Sequence, residues 1–242
     1  MRIARVHVDM PLTPGEEVNL PLSSLQHVIH VLRLRSGDGI VLFNGDGRDF
    51  AATLLKCHKN GAVAQVGDAG TDEPEPALKI HLGIGVSKGE RMDFALRKAV
   101  ELGVHSMTPL FTARGVVRLD GKRLVNRERH WRGIVISACE QSGRRRLPAL
   151  ESAQSIADWL LYEHAGGVLL DHRSPTALRD MSFPEQKITF LVGSEGGLTQ
   201  AERTAAQAAG FTASRLGPRI LRTETAPLAA IAAAQTLWGD LG

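Results

Sequence analysis

The feature that most constrains the fold is the segment Gly70-Thr71-Asp72-Glu73-Pro74-Glu75-Pro76, because the hydrophobic pattern changes character across it. It is polar, proline-punctuated and without periodicity, which reads as a linker. A chain of 242 residues is long enough to place a core on each side of it.

Before the segment the pattern is β-rich. Val41 and Phe43, then Phe50, Ala52 and Leu54, alternate as strands do, and Asn44-Gly45 and Asn60-Gly61 are predicted as hairpin turns. One helix is predicted over 24–34, with Leu25, Val28 and Leu32 on one face and Gly37 beyond its end. The expectation for 1–70 is a small barrel.

After the segment, strands and helices alternate. Strands are predicted over 79–84, 105–111, 167–171, 187–192 and 211–216. Ser87 and Glu90 read as a capping box for a helix whose Met92, Ala95, Leu96, Ala99 and Leu102 share a face, with Gly103 as its stop. A long basic helix is expected over 122–141, and Thr199 with Glu202 forms a second capping box before a helix ending at Gly210. This alternation predicts an α/β domain with a mostly parallel sheet over 77–242.

Several function classes are disfavoured. Cys57 and Cys139 stand alone, and His27, His30, His105, His130, His164 and His172 lack metal-ligand spacing, so no metal site is expected. Neither a Walker A sequence nor GxGxxG is present. The N-terminus lacks a signal-peptide apolar run and no stretch reaches transmembrane length, which predicts a cytoplasmic protein with no membrane partner. A net charge of +3 hints at an anionic partner.

The densest signal is "TFLVGSEGGLTQAERTAAQAAGFTASRLGPRILRTETAPLAAIAAAQ", 189–235. A strand enters the loop Gly193-Ser194-Glu195-Gly196-Gly197, then a helix, a geometry that suits a ligand at the carboxyl end of a strand or a plain glycine-rich connection. Glu195 would repel a pyrophosphate but tolerate a ligand cationic at its reactive centre, such as S-adenosylmethionine. A second loop, 216–225, precedes an alanine-rich helix with thin sides and Pro227 in its first turn.

"LVGSEGGLT" followed by "LGPRILRTETA" resembles the C-terminal signature of the SPOUT methyltransferases, of the ribosomal RNA small subunit methyltransferase E type. "HVIHVLRLRSGD", "FNGDG", "KGERMDFALRKAVELGV", "CEQSGRRRLP" and "WGDLG" extend the resemblance over nearly the whole chain. It implies a PUA-like β-barrel joined to a SPOUT α/β domain with a C-terminal trefoil knot, acting as a homodimer. It also implies S-adenosylmethionine as cofactor and methylation of uridine N3 in 16S rRNA of the small ribosomal subunit. Ser194 stands where the family commonly has Pro, and "FTAR", ending at Arg114, replaces a more usual Ser-Glu-Arg.

On that resemblance, Leu191, Val192, Gly193, Glu195, Gly196 and Gly197 are expected to hold the cofactor from one loop. Leu216, Gly217, Ile220, Leu221, Arg222, Thr223 and Thr225 are expected to hold it from the other. Uridine N3 must lose an imide proton, so Glu224 is the candidate base and Arg222 the candidate stabiliser of charge on the uracil oxygens. A carboxylate at 224 equally suits the cap of the last helix. The cluster Arg144, Arg145 and Arg146, with Arg2, Arg5 and Arg33, is the candidate RNA contact.

Overall fold

The computed structural model describes residues 3–58, 61–117, 119–182 and 185–242, with the side chains of residues 23, 26, 27 and 30 also outside the described set. Arg2, Asn60, and the side chains of His27 and His30 therefore lie outside it. The chain divides into two compact units, 1–75 with 136–147, and 76–135 with 148–242.

The first unit holds a five-stranded sheet. Its strands are β1 (Arg5–His7), β2 (Glu17–Asn19), β3 (Gly39–Phe43), β4 (Phe50–His58) and β5 (Gly61–Ala69), in the order β1-β3-β4-β5-β2. β1 runs parallel to β3 and the other pairings are antiparallel. Phe50, Ala52 and Leu54 alternate inward as their pattern predicts, joining Val6, Leu42, Ala64 and Val66 in the core. The connection at Asn44-Gly45 is longer than a two-residue hairpin. It runs over 44–49, with Gly45 and Gly47 at φ 91° and 106°.

The predicted helix over 24–34 begins earlier and ends sooner. Helix α1 (Leu22–Leu25) passes into a π-helical stretch, Gln26–Val31. Leu34 N–H then bonds the Val28 carbonyl (3.0 Å), and Arg33 takes φ 55°. β-Branched Val28, Ile29 and Val31 weaken the helix there, and the left-handed residue ends it.

The second unit is built on a parallel sheet. β6 (Lys79–Gly85), β7 (Ser106–Phe111), β8 (Ala149–Leu150), β10 (Gly167–Leu170), β11 (Lys187–Val192) and β12 (Thr212–Ser214) lie in the order β12-β10-β11-β6-β7-β8, with β9 (Gln154–Ser155) also on β7. Helices α2 (Glu90–Glu101) and α6 (Ala226–Trp238) pack on each other, and α6 also on β6 and β11. Helices α4 (Ile156–Trp159) and α5 (Gln200–Ala208) form the other pair, over a core of Leu110, Leu169, Leu191, Leu198 and Phe211. In sequence, α3 (Gly121–Ser142) runs between α2 and α4.

Two of the helix signals fare differently. Thr199 and Glu202 form the expected capping box, each side chain bonded to the other's backbone N–H. Ser87 does not cap α2. The N-cap is Gly89 at φ 59°, and Ser87 Oγ instead bonds the Gly85 carbonyl (3.3 Å) and lies 3.4 Å from Thr223 Oγ1. A residue distant in sequence competes for that hydroxyl.

Candidate functional site

Parallel strands present their carboxyl ends together, and the loops leaving β7, β10, β11 and β12 enclose one cavity of about 560 Å³. Its walls are 169–173, 192–198, 214–216 and 219–224, with Arg91, Arg114 and Arg203.

Each glycine of the loop after β11 has a separate reason. A Cβ on Gly193 would lie 2.9 Å from the Gly197 carbonyl carbon, and one on Gly196 would lie 2.9 Å from the Arg114 carbonyl oxygen. Those two glycines let protein backbone approach protein backbone. Gly197 differs: it takes φ 66°, and a Cβ there would meet nothing within 4 Å. Its backbone is the one open to a ligand. Gly85, at the end of β6, belongs to the same design, since a Cβ there would lie 2.7 Å from the Gly193 carbonyl carbon.

Side chains brace the loop from both flanks. Thr223 donates its hydroxyl to the Gly193 carbonyl (2.8 Å), and Ser194, buried, pairs hydroxyl to hydroxyl with Thr112 (3.0 Å). Glu195 explains the carboxylate among the glycines. It accepts from Lys88 N–H (2.9 Å) and faces the Arg91 guanidinium (3.5 Å), tying the loop to the start of α2. Burial pulls its pKa upward, but the bonds from Lys88 and its own backbone, with the Arg91 cation, outweigh that and hold it below the usual carboxylate range. Its charge is thus engaged by the protein itself.

Glu224 is different. Its side chain is only 15% exposed, Oε1 lies 4.0 Å from Arg222, and the buried Oε2 has no hydrogen-bond partner. Nor does it cap α6: Thr225 is the N-cap residue, with no side-chain hydrogen bond closing that end. A buried carboxylate oxygen without a partner is costly to keep, and this one sits in the cavity wall.

Of the residues expected to hold a cofactor, the cavity gathers Val192, Gly193, Glu195, Gly196, Gly197, Leu216, Ile220, Leu221, Arg222 and Thr223. Leu191, Gly217 and Thr225 are outside its lining. Leu191 points into the core beneath α5, as period-two alternation next to Val192 requires. Gly217, at φ 90°, turns the chain toward a second, more apolar hollow of about 550 Å³ with Pro218, Ala229, Ala233 and Leu237. Residues 169–173, Arg114 and Arg91 were not among the expected set. Their legible signal was position alone, after strands whose ends must converge.

The arginines expected to meet RNA are placed less simply. Arg5 is 11% exposed, ion-paired with Asp49, bonded to the Arg144 carbonyl (3.0 Å) and stacked over Phe43 at 4.7 Å. Arg146 bonds the carbonyls of Glu73 (3.0 Å) and Asp46 (3.2 Å) and pairs with Asp72 (3.1 Å) and Glu75 (3.5 Å). Arg145 bonds the Thr71 carbonyl, and the Glu73 carboxylate accepts both the Arg145 and Arg146 N–H groups. Arg144 is half-buried and also has partners. Arg145 and Arg146 thus fasten the acidic segment 71–75, holding it as a strap within the first unit. Arg33 is exposed. Among the described residues no group of three or more His, Cys, Asp or Glu is placed to hold a metal, and no helix is long and apolar enough to cross a membrane.

Comparison with known proteins agrees with this architecture. Residues 73–235 match the model of an RNA methyltransferase domain, and 24–67 that of an RNA methyltransferase PUA domain. Ribosomal RNA small subunit methyltransferase E of Buchnera aphidicola subsp. Schizaphis graminum is 32% identical over 99% of this chain and 98% of its own length. The protein of that name from Bacillus subtilis is 31% identical over 90% of this chain and 87% of its own. The crystal structure of the Neisseria gonorrhoeae ribosomal RNA small subunit methyltransferase E, bound to S-adenosyl methionine, superposes with a TM-score of 0.94 at 42% identity, covering 100% of both chains. With a parallel α/β sheet, a β-rich first unit and likeness over the full length, the chain belongs to the ribosomal RNA small subunit methyltransferase E family.

Proposed function

We propose that the chain transfers the methyl group of S-adenosylmethionine to N3 of a uridine in 16S rRNA of the small ribosomal subunit. The observation that carries this reading is the convergence of Gly197, with its open backbone, and Glu224, with its unpartnered buried oxygen, on one cavity. The cavity, of about 560 Å³, is in the size range of small-molecule sites. S-adenosylmethionine supplies an electrophilic methyl group. The loops 193–197 and 216–223 would hold it, with Thr223 fixing their spacing and Ser194 tying the first of them to Thr112.

Glu224 then takes the imide proton from N3, a role that needs an acceptor oxygen not already satisfied. Arg222, 78% exposed, carries a cation to the uracil oxygens as negative charge develops. Residues 1–70 serve as the PUA-like RNA-binding domain and 77–242 as the methyltransferase domain, with α6 passing through a knot formed by the two loops.

The protein acts as a homodimer in the cytoplasm. Support comes from Ala229, Ala233 and Leu237, four residues apart on α6, which line the apolar hollow with Leu178 and Pro218. Sedimentation of the full chain should give a dimer. The activity is tested by mass mapping of methyl groups on 16S rRNA from a deletion strain, with and without the protein restored. A restored methyl on uracil N3 is the expected result; one on a ribose 2'-oxygen refutes it.

A further inference from the structure

Charge matching within the cavity singles out two further residues. Arg91 faces Glu195 (3.5 Å) and Arg222 faces Glu224 (4.0 Å). Arg173 and Arg203 share Asp171, at 2.7 and 3.8 Å. Arg215 is spent on the carbonyls of Ser174 (2.8 Å) and Pro175. Among the described residues that line the cavity, this leaves Arg114 and Arg219 as arginines whose charge meets no carboxylate and whose side chains are exposed. They come from different loops, after β7 and after β12.

Arg114 is held in place with unusual thoroughness for an exposed residue. Thr112 Oγ1 meets Ser194 Oγ (3.0 Å), and the Ala113 N–H donates to Glu202 (2.7 Å). The Arg114 Cβ and carbonyl press on Gly196, whose own carbonyl accepts from the guanidinium (3.3 Å). That bond uses one of the five donors a guanidinium carries, leaving the others for an anion.

We propose that Arg114 and Arg219 form a clamp for a backbone phosphate at the nucleotide to be methylated. The proposal rests on the RNA reading above. Two planar forks on separate loops suit a tetrahedral anion, and a held phosphate fixes where the attached base enters without reading its identity. Fixing Arg114 through Ser194 sets the phosphate in register with the loop expected to carry the methyl donor.

The test uses small ribosomal subunits from a deletion strain, with the full-length protein. Arg114→Ala and Arg219→Ala should each raise KM for the subunits by roughly 10-fold. Each should also lower the slope of log affinity against log salt by about one. Calorimetric affinity for S-adenosylmethionine should stay within about twofold of wild type. Arg114→Lys and Arg219→Lys should keep the salt slope, with KM between the two extremes. Unchanged KM and slope in the alanine variants overturn the clamp. So does a loss of cofactor affinity that matches the rise in KM, since the anion is then the cofactor's carboxylate. A wild-type protein that binds the cofactor yet never methylates the subunits overturns the RNA reading itself, before any variant is made.

Discussion

Thr223 donates its hydroxyl to the carbonyl of Gly193 at 2.8 Å, joining the two loops that wall the cavity. The same oxygen lies 3.4 Å from Ser87 Oγ, which places both loops against the segment just after β6. Thr223→Val keeps the shape and deletes the hydrogen bond. It should cost about 1 kcal/mol of stability and weaken cofactor binding several-fold, as calorimetry and thermal melting together would show.

Gly85 lies outside the lining residues yet controls them. A methyl at this position would come within 2.7 Å of the Gly193 carbonyl carbon. Gly85→Ala should push the glycine loop off its seat, abolishing cofactor binding and lowering stability by about 1–3 kcal/mol. Retained affinity would mean that the loop relaxes freely and its position does not matter.

Glu224→Gln replaces the carboxylate with a neutral group of equal size. Turnover should fall by a factor of about 10² or more, with cofactor affinity nearly unchanged. Raising the pH should restore part of the rate, because the uracil then ionises without help. A variant fully active at neutral pH would transfer attention to Arg222.

His81 should make the second unit acid-sensitive. Burial, then the charges of His164 and His105, lower its pKa to about 4, and its ring nitrogens are bonded to Ser106 (2.6 Å) and Thr108 (3.1 Å). The depressed value means the unfolded chain binds the proton first. Stability from this group is therefore complete above about pH 6.5 and is lost as pH falls toward about 4, by at most about 3 kcal/mol. Melting temperature measured against pH should fall less steeply over this window in His81→Asn than in wild type.

Arg146→Ala should loosen the strap 71–75 rather than the RNA complex. Loss of charge-assisted bonds to Glu73, Asp46 and Asp72 should lower stability by about 1–3 kcal/mol. The salt slope for small-subunit binding should stay where it was. A lower slope with unchanged melting would restore Arg146 to the RNA surface.

These outcomes mark what a linear reading of the chain can reach. Thr199 with Glu202 was legible because both partners of the capping box lie within one turn. Lys187–Val192 was legible because a buried parallel strand is a mostly apolar run, here Ile188 and Phe190 to Val192. Ser87 was misread because its competitor, Thr223, is local only in space. Arg145 and Arg146 carry a structural role that a basic run alone does not show, because the acidic residues of 71–75 meet them only in space. Gly85 carried no usable signal, and the packing reason for Gly196 was equally hidden, since what forbids a side chain at each is backbone from another loop.

The first unit is not one continuous stretch: 136–147 belongs with 1–75, although the chain has by then passed through 76–135. A gene fusion that moves only the leading residues onto another enzyme would leave that later piece behind, and with it Arg145 and Arg146. Recombination between relatives therefore has no clean junction at residue 76. An exchangeable module must carry both pieces, which takes three junctions, after residues 75, 135 and 147.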